Sequence, residues 1–259
     1  MTTLYLCGAG NPEGIRLAIT INRAQKRWDR LVILDDNPAK HGLSIMGIKI
    51  EGPFSMLAQA EPGRDEVANM VARTTTKRLA ALQKIQPYGL AVAPLIDPRV
   101  DIEGVEVTND ITIYQNVSFC AAGSMGEGSV ALTGSIIGHG CKVGRCCVIA
   151  PGAVINARVE LGEGVYLGTN ASILPDLKVG AWATIGANTA VVQNVPPGAT
   201  VMGVPAQILM MGDAESLPKT KSAATPSCSA VSAAPELRSE ALQQLRQAQK
   251  QFIQAHEAK

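Results

Sequence analysis

The chain has three histidines, at positions 41, 139 and 256. His139 lies inside a long run of regular repeats, two residues after an aliphatic position, where a side chain faces out of the repeat. An imidazole held there can take a proton from an amine or a hydroxyl near neutral pH, a service worth roughly 10²–10⁴-fold. A second constellation sits at the amino terminus. The apolar Leu4-Tyr5-Leu6-Cys7 runs into Gly8-Ala9-Gly10, and Leu31-Val32-Ile33-Leu34 ends in Asp35-Asp36. Glycines let a backbone approach phosphate at a helix N-terminus, and an acid closing the second strand accepts ribose hydroxyls. The same residues also suit a plain strand-to-helix turn and a solvated loop, and Pro12-Glu13 brings a negative charge to the helix start. Spacing alone leaves both readings open.

Two architectures are needed to position these residues. From Ile137 to Val191 an aliphatic residue recurs at every sixth position, and four residues after each comes a small or medium side chain, from Cys141 to Val195. Gly or Ala follows most of the aliphatics, where a chain turning a corner has little room. The same phase runs back through Ala131, Met125, Phe119, Ile113 and Val107. Hexapeptides of this kind build a parallel β-helix, in which three repeats make one triangular coil and stacking buries the inward residues. Residues 107–195 therefore predict about five coils. The first hundred residues follow another rule. Strands at 4–7, 31–34, 67–71 and 90–93, with helices over 14–27 and 76–86, predict a small parallel α/β domain.

Composition agrees. The 259 residues are 46% hydrophobic but only 3% aromatic, as a narrow interior filled by Val, Ile, Leu and Ala requires. A net charge of +1 gives no field that would draw nucleic acid or an anionic membrane. No window approaches eighteen uninterrupted apolar residues, and MTTLYLCGAG lacks a basic and apolar leader, so neither a membrane span nor export is expected and the cytoplasm is the expected compartment. The six cysteines lack paired spacing, which fits a reducing compartment. Cys141 and Cys147 read as inward apolar fillers, Cys146 has no ligand partner at a useful spacing, and no metal site is expected. Residues 211–235 read as a flexible linker. Residues 236–259 read as an amphipathic helix carrying Leu237, Ala241, Leu245, Ala248 and Phe252, suited to packing on its own protein or on a copy.

Thr133-Gly134-Ser135-Ile136-Ile137-Gly138-His139-Gly140-Cys141, with Ile149-Ala150-Pro151-Gly152, Leu167-Gly168-Thr169-Asn170 and the closing Val201-Met202-Gly203-Val204-Pro205-Ala206, resembles the sialic acid O-acetyltransferase and bacillosamine N-acetyltransferase family. Gly8-Ala9-Gly10 and Leu34-Asp35-Asp36-Asn37 are similar to that family's sugar-nucleotide domain. The resemblance spans about residues 4–208. It implies a Rossmann-like parallel α/β domain over 1–100 and a left-handed parallel β-helix over 101–210. It also implies a homotrimer with sites between subunits, and acetyl-coenzyme A lying between two prisms. Carried over, His139 is the general base. Gly168, Thr169, Gly186 and Ala187 hold the pantetheine arm, Pro205 and Ala206 face the adenine end, and Gly8, Gly10, Asp35 and Asp36 hold the nucleotide of a sugar substrate.

The chain departs from the family pattern near the chemistry. Gly140 stands where a carboxylate usually follows the histidine, Leu132 where an Asn often precedes Thr-Gly, Val148 where some members have a second histidine, and Gln207 where a terminal Arg or Lys is usual. An amine can attack before losing its proton and needs less help from a base, so the missing carboxylate favours N- over O-acetylation. The same departures leave open a scaffold that binds without turnover.

Overall fold

The computed structural model describes residues 1–108, 110–212 and 217–218. The predicted linker falls largely, and the predicted C-terminal helix wholly, outside the described residues.

The amino-terminal domain is a parallel sheet with one antiparallel edge. Its strands are β1 (Thr3–Cys7), β2 (Arg30–Leu34), β3 (Ser44–Ile45), β4 (Ile48–Gly52), β5 (Glu66–Asn69) and β6 (Ala91–Val92), in the spatial order β3-β4-β2-β1-β5-β6. Helix α1 (Pro12–Gln25) begins two residues before the predicted start, because Asn11 accepts from the Gly14 N–H and Pro12 supplies a preset φ in the first turn. It stops at Lys26, which adopts the left-handed conformation at φ 51°. Helix α2 (Thr75–Ile85) is capped by Thr74.

The second domain is a three-faced prism of mostly two-residue strands joined by tight corners, each strand through Thr200–Met202 stacking in parallel on the one a coil below, and a last strand, Gln207–Met210, pairing antiparallel with Thr200–Met202. The first face carries Thr112–Ile113, Val130–Ala131, Val148–Ile149, Tyr166–Leu167 and Thr184–Ile185. The second carries Ser118–Phe119, Ile136–Ile137, Val154–Ile155, Ser172–Ile173 and Ala190–Val191. The third carries Glu106–Val107, Ser124–Met125, Lys142–Val143, Glu160–Leu161 and Lys178–Val179. The ten aliphatics from Ile137 to Val191 are all buried. The first face extends past the expected coils at both ends, from Leu95–Ile96 to Thr200–Met202.

The last coil breaks the count. Ile185 pairs with Val201 and Val179 bridges to Val195, each a step of 16 residues instead of 18. Val195 thus stands over an aliphatic position, not the small position that the repeat predicts. Below this shortened coil Leu177 is only partly buried.

The α/β domain docks on the first face. Residues preceding the inward aliphatic point out of the prism, and on the third face, at Glu106, Ser124, Lys142, Glu160 and Lys178, they are all polar or charged. On the first face Val130 and Val148 are fully buried, in one cluster with Ile15, Ala18, Leu95 and Tyr114. Each buried valine contributes roughly 1.5–3 kcal/mol to holding the domains together. Val148, the position of a second histidine in some relatives, is a packing residue here.

Candidate active site

Where β1 ends, Gly8 turns the chain at φ +115° and its N–H donates to the Leu34 carbonyl at 2.7 Å. A cavity of about 460 Å³ opens there, lined by Gly8, Gly10, Asn11, Asp35, Lys40, Met70 to Arg73, and Leu132 of the prism. A Cβ placed on Gly10 meets nothing within 4 Å, so its backbone stands open to the cavity. Gly14, by contrast, is a packing glycine, whose added Cβ would lie 2.8 Å from the Tyr114 hydroxyl.

Asp35 lines the cavity, but its carboxylate is already engaged. Oδ2 accepts from the Ala9 N–H and from Lys40 Nζ, both at 2.8 Å, and Oδ1 accepts from the Asn37 N–H at 2.9 Å. Burial alone would push this carboxyl up. The Lys40 hydrogen bond and the two backbone N–H groups outweigh it and hold the group below the usual range. Asp36 faces a neighbouring cavity of about 300 Å³ that shares Gly8, Asp35 and Val71 and adds Phe54, Lys77 and Lys84. Its oxygens accept from the Phe54 N–H and Lys84 Nζ, which likewise outweigh burial and lower its pKa. Sequence reasoning missed Lys40, Arg73, Lys77 and Lys84, the cations of these cavities. Their signal was slight: lysines and an arginine in the short segments after Asp35 and β5 and in the first and last turns of α2.

The prism places the other candidates on two of its edges. The corner after the first face carries Leu132-Thr133, Ala150-Pro151, Gly168-Thr169 and Gly186-Ala187, stacked by bonds such as Asn170 N to the Pro151 carbonyl (3.1 Å) and Asn188 N to the Thr169 carbonyl (2.8 Å). Gly203 to Ala206 close the same edge, with the Ala206 N–H donating to the Ala190 carbonyl at 2.8 Å. Gly168 must be glycine, because an added Cβ would lie 2.6 Å from the Ala187 nitrogen and 2.7 Å from the Gly186 carbonyl carbon. Thr169 and Ala187 are exposed. The edge is thus a narrow strip of small residues that begins at the cavity, through Leu132, and runs to Pro205-Ala206.

His139 is elsewhere. It occupies the corner between the second and third faces, exposed, with Arg158 from the next coil beside it. The whole second face separates it from Gly168 and Ala187 in the same chain. That face is the prism's bare apolar surface, with Ile136 42%, Leu174 48% and Val192 45% exposed on it and its rims. The third face instead carries the ladder Lys142, Glu160 and Lys178. Among the described residues no group of three or more His, Cys, Asp or Glu is placed to hold a metal, and no helix is long and apolar enough to cross a membrane.

No protein-family model matches the sequence, and no curated protein does. Solved structures do match. The acetyltransferase domain of PglB from Neisseria gonorrhoeae, in complex with acetyl coenzyme A, superposes with a TM-score of 0.72 at 25% identity, covering 80% of this chain and 98% of that one. In fold and domain order, the chain is similar to left-handed β-helix sugar acetyltransferases. A mutant perosamine N-acetyltransferase from Caulobacter crescentus, in complex with CoA and GDP-perosamine, matches this acyltransferase fold with a TM-score of 0.69 at 21% identity over 82% of this chain and 97% of that one. WeeI from Acinetobacter baumannii matches at 0.71 and 21% identity, over 81% of this chain and all of that one.

Proposed function

We propose that the protein transfers the acetyl group of acetyl-coenzyme A to an amino group of a nucleotide-linked sugar destined for a glycan. The observation that carries this reading is that the cavity at Gly8 and Gly10 opens beside Leu132, at the foot of the strip that continues through Gly168, Thr169, Gly186 and Ala187 to Pro205 and Ala206. A nucleotide in the cavity and a thioester arm along the strip would meet end to end. Lys40 and Arg73 supply positive charge for the diphosphate. The exposed backbone of a glycine- and alanine-lined edge suits a slender amide-bearing arm.

His139 enters from a second copy. A homotrimer that covers the apolar second face would bring the His139 edge of one prism against the Gly168 edge of its neighbour, and each site would be built by two chains. The amine lone pair attacks the thioester carbonyl carbon, the C–N bond forms, and the C–S bond breaks with the thiolate leaving. His139 takes the surplus amine proton and returns it to the thiolate, so one imidazole serves as base and then acid. The cytoplasm, where both substrates occur, is the compartment this reading implies.

A scaffold without turnover is the second reading, and Arg158 favours it by lying against the ring nitrogen that a base needs free. Release of free thiol from acetyl-coenzyme A separates the two, with UDP-linked 4-amino sugars and GDP-linked 4-amino sugars as acceptors and His139→Ala in parallel. Acceptor-dependent release that falls at least about 10²-fold in the variant supports transfer. No release from any acceptor, together with no binding of acetyl-coenzyme A to the folded protein, would overturn it.

A further inference from the structure

Arg158 sits one coil above the corner of His139. Its backbone N–H donates to the His139 carbonyl at 2.9 Å, and its Nη1 lies 3.2 Å from His139 Nε2. A guanidinium carries only N–H donors and does not give up its proton, so Nε2 must be the acceptor of this pair. A neutral imidazole that accepts at Nε2 carries its own proton on Nδ1. The other side of the guanidinium is clamped by Asp176 through two bonds, Nε to Oδ1 at 2.6 Å and Nη2 to Oδ2 at 2.8 Å, the forked geometry that fixes an arginine most firmly. Gly140 leaves room for the arrangement, since a Cβ there would come 3.3 Å from Arg158 Cγ. Three consecutive coils thus contribute one chain of contacts, His139 to Arg158 to Asp176.

We propose that Arg158, held by Asp176, is a positioning residue that caps His139, keeping the resting imidazole as the Nδ1–H tautomer with its proton-accepting nitrogen turned to the guanidinium. The proposal rests on the reading of His139 as the base. It has a definite consequence. A ring in this state offers a donor at Nδ1 and no free lone pair, so transfer requires Arg158 to turn away from Nε2, and the cap slows the step it precedes. Releasing one exposed hydrogen bond of this kind is worth about 2- to 10-fold in rate.

The test reads the tautomer directly and the rate separately. The full-length protein, labelled with ¹⁵N in its imidazoles, is followed by long-range ¹H–¹⁵N correlation above the pH of imidazole titration, with the His139 signals assigned by their loss in His139→Ala. Wild type is expected as the Nδ1–H tautomer, and Arg158→Ala as mainly the Nε2–H tautomer that an uncapped side chain favours. Arg158→Lys, which cannot bind Asp176 in a fork, should fall between. In acetyl transfer Arg158→Ala should raise kcat about 2- to 10-fold with the acceptor KM unchanged. An Nε2–H ring in wild type, the same tautomer with and without Arg158, or a kcat that falls in Arg158→Ala would each overturn the cap. If none of the proteins transfers acetyl, the proposed function fails, and the spectra still decide the cap.

Discussion

Asp35 Oδ2 accepts the backbone N–H of Ala9 at 2.8 Å, across 26 residues of sequence, and so ties the end of β2 to the glycine turn after β1. The carboxylate builds the cavity wall, with Lys40 and Asn37 holding its remaining positions. In Asp35→Asn the amide group faces a ring of donors and leaves at least one of them unmatched. A loss of about 1–3 kcal/mol in urea unfolding is expected at neutral pH. The nucleotide-sugar KM should rise several-fold while kcat stays near the wild-type value, because His139 is remote. Asp35 has a lowered folded pKa, so its contribution is present above its unfolded value of about 4 and is lost as pH falls through the folded one. The gap between variant and wild type should therefore close in acid.

Two glycines of the proposed site should respond oppositely to the same change. At Gly168 an added methyl meets the backbone of the next coil at 2.6 to 2.8 Å, and a backbone that pairs on both sides cannot move aside. Gly168→Ala should cost about 1–3 kcal/mol and lose acetyl transfer with it. At Gly10 the methyl meets nothing, so stability should stay within about 0.5 kcal/mol. If a phosphate approaches that backbone closely, Gly10→Ala should still weaken nucleotide-sugar binding in calorimetry. Equal stability losses for the two variants would contradict the stacking argument.

The prism was legible because its period is local: each inward aliphatic announces itself within six residues. The domain interface was written in the same repeats at a longer wavelength. Val130, Val148 and Tyr166 are apolar or aromatic at the outward phase, eighteen residues apart on one face, whereas Lys142 and Glu160 occupy that phase on another. That signal has meaning only once three repeats are counted as one coil, and then it marks the face that α1 covers. The contact of His139 with Arg158, one coil plus one residue away, is hidden for the same reason. The partners of Asp35 were not legible at all, since a backbone N–H carries no side-chain signature and Lys40 reaches it from a short 3-10 turn (Pro38–Lys40). The shortened final coil arises because Val195 follows Val191 by four residues instead of six, a local interruption whose effect on register only stacking reveals.

Arg78 and Asp110 meet where the domains join. Arg78 is fully buried on α2 and donates through Nε to the Gly128 carbonyl of the prism and through Nη1 to the Asn69 and Val71 carbonyls at 3.1 and 2.9 Å. It therefore also fixes Val71, a wall of the cavity. Burial, with Glu127 adding to it, pushes the Asp110 carboxyl up to about 6 against the pull of Arg78. A carboxyl whose folded pKa exceeds its unfolded value holds its proton more tightly in the folded state. Its contribution is therefore full below about pH 4 and is lost as pH rises to about 6, on the order of 3 kcal/mol in all. Asp110→Asn should remove this slope, leaving a urea midpoint that falls less between pH 4 and 6 than that of wild type. Parallel pH profiles for the two proteins would show that Asp110 titrates normally.

The separation of His139 from the strip of Gly168 and Ala187 makes the number of chains per site measurable. Both edges border the apolar second face, on opposite sides, so no single prism can apply them to one reacting carbon. Ala187→Trp should block the strip while leaving the exposed His139 corner intact, and His139→Ala should remove the base while leaving the strip open. Each variant alone should lose at least about 10²-fold in acetyl transfer. Unfolded together and refolded as a mixture, they can form sites that take a sound histidine from one chain and a sound strip from its neighbour. Random assortment of equal amounts in a closed ring gives about a quarter of the wild-type rate, far above either parent. Recovery of that size requires a site shared between subunits. A mixture no more active than its parents, in refolded trimers confirmed by sedimentation, would place both edges' functions within one chain and rule out the two-chain site.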